Sequence, residues 1–199
     1  MDDTTRTARR IAIEDAAYEM LREHGYAGMS MLRVAKAAKA SNETLYRWYG
    51  DKPGLIRALV DRNVADVRAR LGSAETGDAP LDHLAAVAPM LLTMLVGERA
   101  VTLNRAAAAD RSGALGEAIA AGGRETVAPL IGALVARAIA ARGSAMDPKE
   151  ATVVFLNLLI GDLQIRRVIG VLAEPTPDDI AARARLALTA FERLISAED

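Results

Sequence analysis

The sequence predicts an all-α protein, and three features of the 199-residue chain support this fold class. Alanine and leucine are abundant while aromatic residues make up only 4% of the chain, a composition that favours helices over sheets. Apolar residues recur at helical spacing along most of the chain. Glycine, proline and N-capping serine residues separate these stretches. We therefore expect three N-terminal helices, joined by a long fourth helix to a larger helical domain.

The N-terminal helices are predicted from their caps and their apolar spacing. Residues 6–24 form one helix, and Gly25 ends it as a left-handed cap residue would. Ser30 is placed to cap a second, short helix and Ser41 a third. Asp51 caps the fourth helix, whose apolar residues continue to Leu71. Its length predicts that this helix connects the two domains.

Turn-forming residues between 72 and 80 predict a loop and a domain boundary. We assign residues 1–50 to the small module, 51–71 to the start of the connecting helix and 72–199 to the larger domain. Further helices are predicted at 81–96, 98–109, 113–121, 124–142, 148–172 and 177–197.

The composition argues against several classes of function. The chain has no cysteine, which excludes disulfides, thiolate zinc sites and a cysteine nucleophile, and a reducing cytoplasm is expected. His24 and His83 lack ligand or triad spacing, and no glycine-rich phosphate-binding motif occurs. The apolar stretch 84–96 is shorter than the roughly 20 residues of a membrane span and contains Pro89. We predict no enzyme activity, metal, cofactor or membrane partner.

Charge is distributed unevenly along the chain. Residues 1–70 carry 13 Lys and Arg against 10 Asp and Glu, a net charge of +3, whereas residues 71–199 carry 12 against 16, a net charge of −4. The basic excess is densest within residues 29–57. This asymmetry indicates a polyanionic partner for the N-terminal module, although a solvated basic face is the alternative if charge is considered alone.

Two short capped helices separated by a tight turn constitute a helix-turn-helix. The segment from Ser30 to Lys52 reads SMLRVAKAAKASNETLYRWYGDK. It resembles the DNA-binding motif of the TetR family: a capped short helix, a turn, then Ser-x-x-Thr-Leu-Tyr-x-x-Phe/Tyr and a following lysine. Lys39 departs from that pattern, because the family usually has glycine at this turn position. A non-glycine residue there costs roughly 1 kcal/mol or more if φ is positive.

Leu45 and Tyr49 lie one turn apart and should face the small core, which leaves the other side of the third helix for the major groove. Asn42 and Arg47 have the donor geometry to read adenine and guanine. Glu43 could accept a hydrogen bond from cytosine, or could simply favour the helix N-terminus. The full predicted DNA-binding set is Ser30, Arg33, Ser41, Asn42, Glu43, Thr44, Tyr46, Arg47 and Lys52.

Several of these roles concern the DNA backbone. The resemblance implies that Tyr46 and Lys52 bind phosphates, and the hydroxyls of Ser30 and Thr44 could do the same. Arg33 could add a phosphate contact, although a solvated side chain is the alternative. The partner implied by the motif is double-stranded operator DNA.

The C-terminal sequence resembles the AefR-like branch of the TetR family, on the segments Leu103-Asn104-Arg105, Gly161-Asp162-Leu163 and Arg166-Arg167. The predicted helix 148–172 is apolar on several sides, so it could join both the subunit core and a second subunit. With helix 177–197 it would form a four-helix dimer interface. A larger monomeric core is the alternative.

An effector pocket is predicted inside the larger domain. Met90 and Met94 lie one turn apart, and their flexible thioethers suit a cavity that accepts varied apolar shapes. Asn104, Phe155 and Asp162 would supply polar and aromatic contacts, with ordinary core packing as the alternative for these residues. The predicted function is that of a TetR-type regulator released from a near-palindromic operator by a small, mostly apolar molecule, and the resemblance implies repression. A helical adaptor protein without DNA binding is the alternative.

Overall fold

The computed structural model describes residues 3–73 and 79–196, and all regular secondary structure within these ranges is helical. The predicted all-α fold class is thus confirmed. The chain forms two compact units, each made of two separate segments. The N-terminal unit contains the residues up to Asn63 together with Thr102–Gly123, and the C-terminal unit contains Val64–Val101 together with the residues from Arg124 onward.

Eleven helices are found in the part of the chain that the structure describes. They are α1 (Asp3–Gly28), α2 (Met31–Ala37), α3 (Asn42–Tyr49), α4 (Lys52–Ser73), α5 (Pro80–Val96), α6 (Glu98–Ala109), α7 (Ala114–Ile119), α8 (Glu125–Ala141), α9 (Pro148–Ile160), α10 (Leu163–Val168) and α11 (Pro177–Ile195). A π-helical turn at Ala120–Arg124 joins α7 to α8. Of the predicted loop at 72–80, residues 74–78 lie outside the described residues.

The prediction of one helix over 148–172 is wrong. The helix ends at Ile160, and Gly161 adopts φ +50°, a backbone conformation that glycine reaches without steric cost. A Cβ at this position would lie 2.8 Å from Arg183 Nη2. The apolar pattern continued through the break because α10 begins two residues later, and helical spacing alone does not reveal a change of direction.

The N-terminal unit has its own core. Buried side chains from α1 to α4 meet there, and Leu103, Ala106 and Leu115 of α6 and α7 join them. The predicted boundary at residue 72 differs from this division, because residues 102–123 belong to the N-terminal unit. A buried leucine on a helix shows that a core exists but not which core it enters.

The core of the C-terminal unit is formed mainly by α5, α8, α9 and α11. Phe155 and Phe191 lie at its centre, with ring centroids 5.3 Å apart in an edge-to-face arrangement. The stretch Ala114–Ala141 is long and apolar enough to cross a membrane by composition alone. Within it, α8 buries one face, including Ile131, Leu134 and Val135, in this core. Core packing accounts for the apolar residues on that face of α8.

Candidate nucleic-acid interface

The helices α2 and α3 are short because each is bounded by specific caps. The Ser30 hydroxyl accepts a hydrogen bond from the backbone N–H of Arg33 at 3.3 Å. The Ser41 hydroxyl accepts one from the backbone N–H of Thr44 at 3.0 Å and lies 2.8 Å from the Thr44 hydroxyl. Both caps are those predicted from the sequence. They fix where each helix begins, and hence the register of the residues on α3.

The turn between α2 and α3 passes through Lys39, which adopts φ +50°. It is the sole non-glycine residue with positive φ among the described residues. Arg9 Nη1 of α1 donates a hydrogen bond to the Lys39 carbonyl at 2.9 Å. The helix-turn-helix thus keeps its geometry with lysine at this position, and an arginine from α1 contributes to stabilising the turn.

The two sides of α3 differ sharply in exposure. Leu45 is fully buried and Tyr49 is 8% exposed, as predicted from their spacing. Asn42, Glu43 and Arg47 are exposed on the other side, and they have no side-chain partner among the described residues. Tyr46 is 51% exposed, so both its ring and its hydroxyl are accessible on this side of α3. This surface, formed by Asn42, Glu43, Tyr46 and Arg47, is called the α3 face.

A buried polar network fixes α3 to its neighbours. Glu14 of α1 is 5% exposed and accepts a hydrogen bond from the Tyr49 hydroxyl at 3.3 Å. Arg62 of α4 donates to Glu14 at 3.3 Å and to Asp15 at 2.9 Å. Burial, together with the nearby Glu14 carboxylate, raises the pKa of Tyr49 to about 12. The network therefore joins three helices around the base of α3 while Tyr49 remains neutral.

Lys52 is partly buried rather than free at the surface. Its ammonium group donates to the Tyr26 carbonyl and lies 3.8 Å from the centroid of the Tyr26 ring. Desolvation lowers the pKa of Lys52, and the charge of Asp110 opposes that shift. Helix α1 is kinked at Gly25, which adopts φ +64°. The lysine thus connects the start of α4 to the part of α1 after this kink, in addition to any contact with phosphate.

Sequence reasoning did not identify the supporting residues Arg9, Glu14 and Arg62. Glu14 could have been found from its position, because it lies on the side of α1 that faces the core, beside the buried residues Ile13 and Ala17. A charged residue in such a position is rarely buried without a partner. Arg33, in the predicted set, is exposed but donates through Nη1 to the Gly28 carbonyl at 2.7 Å. This contact positions its guanidinium beside the start of α2.

The five residues predicted to bind an effector are dispersed. Phe155 is buried in the core, Met90 and Met94 are partly buried against that core, and Asp162 is exposed and 3.9 Å from Arg166 Nη1. Asn104 belongs to the N-terminal unit. Two cavities of the C-terminal unit are lined by other residues. The structure does not bring the predicted set together at either cavity.

The sequence matches two protein-family models, one in the N-terminal part of the chain and one in the C-terminal part. The family model for bacterial regulatory proteins of the tetR family matches residues 13–59, and the model for the C-terminal domain of AefR-like transcriptional repressors matches residues 82–194. The chain belongs to the TetR family. Members of this family are DNA-binding transcription factors without enzyme activity, so the chain is a DNA-binding transcriptional regulator.

Individual TetR-family proteins resemble the chain in sequence and in fold. The uncharacterized HTH-type transcriptional regulator YdeS of Bacillus subtilis strain 168 is 32% identical over 71 residues, which cover 36% of this chain and 34% of YdeS. The match therefore spans about a third of that relative. A TetR transcriptional regulator from Agrobacterium tumefaciens is 29% identical, with a TM-score of 0.73 over 94% of this chain and 93% of that one. The complex of SmeT with triclosan has a TM-score of 0.75 at 23% identity, over 94% and 91% of the two chains.

Proposed function

We propose that this TetR-family regulator is a repressor that binds a near-palindromic operator as a homodimer and is released by a small, mostly apolar molecule. The α3 face carries the DNA-binding part of the proposal. Its side chains are exposed, while Tyr49 on the opposite side is hydrogen-bonded to buried Glu14. A polar surface on a helix fixed in this way suits recognition of base edges in the major groove.

Within the α3 face, each side chain has a distinct proposed role. Arg47 can donate two hydrogen bonds to guanine and Asn42 can pair with adenine, whereas Tyr46 binds a phosphate. Glu43 lies in the first turn of α3, where its carboxylate also interacts favourably with the helix dipole. The hydroxyls of Ser30 and Thr44 remain proposed phosphate contacts, and that of Ser30 also caps α2.

Arg47→Ala tests this assignment. We expect operator affinity to fall roughly 5- to 150-fold, equivalent to about 1–3 kcal/mol, with little change in binding to unrelated DNA. Fluorescence anisotropy with a duplex selected by the wild-type protein measures both affinities. Lys149→Ala is the control, because Lys149 is an exposed cation of the C-terminal unit. Unchanged operator affinity in Arg47→Ala would contradict the assignment, and an absence of DNA binding by the wild type would favour an adaptor protein.

The dimer is proposed to form through α9 and α11. Helix α9 is the first part of the predicted interface helix 148–172, and α11 covers most of the predicted helix 177–197. Val153, Leu186 and Leu194 are 52–62% exposed on these helices, an unusual density of large apolar side chains at a surface. A groove between the two helices is lined by Val154, Leu158 and Ala187. Pairing of this face with its two-fold copy would produce a four-helix interface.

Leu186→Glu tests the interface. Placing a carboxylate in an apolar contact should weaken dimerisation by roughly tenfold or more, as measured by sedimentation equilibrium. Ile169→Glu is a matched control, because Ile169 and Leu186 are each 62% exposed and only Leu186 lies on the proposed interface. Equal dimer affinity in the two variants would contradict the proposed face.

Release by a ligand requires two states with different affinity for it. The connectivity of the chain supports such coupling between a ligand site and the DNA-binding unit. Helix α5 belongs to the C-terminal unit and leads directly into α6, most of which belongs to the N-terminal unit. The SmeT–triclosan complex has the same fold and contains a small apolar compound. We also propose that the protein acts in the cytoplasm, where operator DNA is accessible.

A further inference from the structure

A cavity of about 500 Å³ lies within the C-terminal unit, among α5, α10, the segment 172–176 and the first turns of α11. Its volume is within the range of sites for small organic ligands. Its lining is predominantly apolar and includes Leu92, Leu163, Leu172 and Ile180. The cavity is therefore suited to a ligand whose body is hydrocarbon.

Arg183 is the cation in the wall of this cavity. Its Nε donates to the Leu159 carbonyl at 3.0 Å, which fixes the side chain at the end of α9. Among the residues that the structure describes, no carboxylate lies within ion-pair distance of its guanidinium, and its Nη groups have no protein acceptor. A positioned guanidinium with unused donors is a suitable partner for a planar anion.

The two carboxylates that line the cavity already have partners. Asp179 accepts hydrogen bonds from the Thr176 backbone N–H at 3.0 Å and from its hydroxyl at 2.7 Å. These bonds lower the pKa of Asp179, so that it stays ionised. Glu174 lies 4.0 Å from Arg167 Nη2. The polar group left for a ligand is consequently a donor rather than an acceptor.

We propose that this cavity binds an amphipathic organic anion, a mostly apolar molecule with one carboxylate, and that Arg183 binds the carboxylate. The inference rests on the proposed function only in naming this molecule as the effector that releases DNA. It assigns the effector to a site that differs from the set predicted from the sequence.

Arg167 connects this cavity to the end of α5. Its side chain is 7% exposed, and it donates from Nη1 to the Leu172 carbonyl at 3.1 Å and from Nε to the Val96 carbonyl at 2.9 Å. Gln164 donates to the Leu95 carbonyl at 3.0 Å. These bonds satisfy the last carbonyls of α5, immediately before Gly97 and the start of α6. A ligand that displaces Leu172 would therefore alter a contact at the α5–α6 junction.

Three probes with the same alkyl chain test the ligand class: decanoate, decanol and decylammonium. Isothermal titration calorimetry on the full-length protein should show saturable binding of decanoate, at least tenfold tighter than that of decanol, with decylammonium weakest. Arg183→Gln should reduce decanoate affinity tenfold or more while changing decanol affinity less than twofold. Arg185→Gln is the control, because Arg185 is an exposed arginine two residues along the same helix.

Leu163→Trp provides a second test that leaves Arg183 intact. The larger side chain should fill the cavity and abolish binding of both decanoate and decanol, with helical content checked by circular dichroism. Unchanged decanoate affinity in both Arg183→Gln and Leu163→Trp, or no saturable binding to the wild type, would overturn the site.

The effect on DNA is measured separately, by anisotropy with the selected duplex. Decanoate binding that depends on Arg183 but leaves the duplex bound would support the cavity and contradict release by this ligand. Loss of DNA binding in Arg47→Ala with decanoate affinity unchanged would support both proposals independently.

Discussion

The two units of the molecule are stabilised in different ways. In the N-terminal unit a buried carboxylate, Glu14, joins α3 to its neighbours through Tyr49 and Arg62. At the centre of the C-terminal unit, Phe155 packs against Phe191 and the surrounding contacts are hydrocarbon. Directional polar bonds specify the orientation of a surface, whereas apolar packing tolerates rearrangement around a cavity. The contrast supports the proposal of a rigid DNA-binding surface in one unit and an adaptable effector site in the other.

The largest expected effect is in the apolar core. Phe155→Ala should lower the free energy of unfolding by about 4 kcal/mol, because it leaves a cavity where the ring now contacts Phe191. Urea unfolding followed by circular dichroism reports both units, whereas fluorescence of Trp48, the only tryptophan, reports the N-terminal unit. If the units unfold separately, the circular dichroism transition should shift more than the fluorescence transition.

Val171→Ala is the control for that prediction, because Val171 is an apolar residue of the same unit that is 65% exposed. Its truncation should cost less than about 0.5 kcal/mol. A loss of under about 1 kcal/mol in Phe155→Ala would show that the core is not well packed around the ring.

A smaller effect is expected from the polar network of the N-terminal unit. Glu14→Ala should cost about 2–3 kcal/mol, because it removes a buried acceptor from Tyr49 and Arg62. The Trp48 fluorescence transition measures this loss. Glu19→Ala is the control, since Glu19 forms its ion pair with Arg22 at the surface. Equal free energies of unfolding for Glu14→Ala and Glu19→Ala would contradict the view that a buried polar network stabilises the N-terminal unit.

The raised pKa of Tyr49 gives this network a pH signature. The pKa of Tyr49 is about 12 in the folded protein, against an ordinary value of 10.0, so the unfolded chain loses its proton first as pH rises. Its stabilising contribution is therefore complete below pH 10 and is lost between about pH 10 and pH 12. Tyr49→Phe should reduce the alkaline loss of stability measured through Trp48. An identical alkaline profile in that variant would assign the loss to other groups.

The DNA-binding helices of the N-terminal unit could be predicted from the sequence more fully than the cavity of the C-terminal unit. Caps at Ser30 and Ser41 and the spacing of Leu45 and Tyr49 are local signals, and they placed α3 and its exposed side correctly. Arg183 and Leu92 meet at one cavity only after α5 and α11 have packed, across 91 positions of sequence. No local spacing encodes that meeting. The predicted effector residues followed helix pattern alone, which does not specify which apolar side chains line a cavity.

The N-cap of α11, Thr176, allows a test of whether local polar bonds also stabilise the C-terminal unit. Thr176→Ala removes the hydroxyl that caps α11, which should cost about 1 kcal/mol. Asp179 has a lowered pKa because it accepts hydrogen bonds from Thr176. A depressed pKa stabilises the fold above the unfolded pKa, and that stabilisation is lost as pH falls through the folded pKa. The difference between variant and wild type in urea unfolding should therefore be larger at pH 7 than in strong acid, and a pH-independent difference would contradict this account.

The smallest expected effect concerns the turn before α3, where Lys39 adopts φ +50°. Lys39→Gly should relieve roughly 1 kcal/mol of left-handed strain while increasing the entropy of the unfolded chain by about half that amount, a net stabilisation of about 0.5 kcal/mol. The Arg9 bond to the carbonyl at position 39 is made to the backbone, so the glycine variant can retain it.

Lys36→Gly in the last turn of α2 is the control, and it should destabilise the unit by roughly 0.5–1 kcal/mol because glycine is unfavourable in a helix. Because each variant also removes one positive charge, both should reduce nonspecific DNA binding similarly if the two cations act only through the general field. Destabilisation by Lys39→Gly as large as that by Lys36→Gly, measured through Trp48, would mean that the lysine side chain stabilises the turn in a way that outweighs its strained backbone.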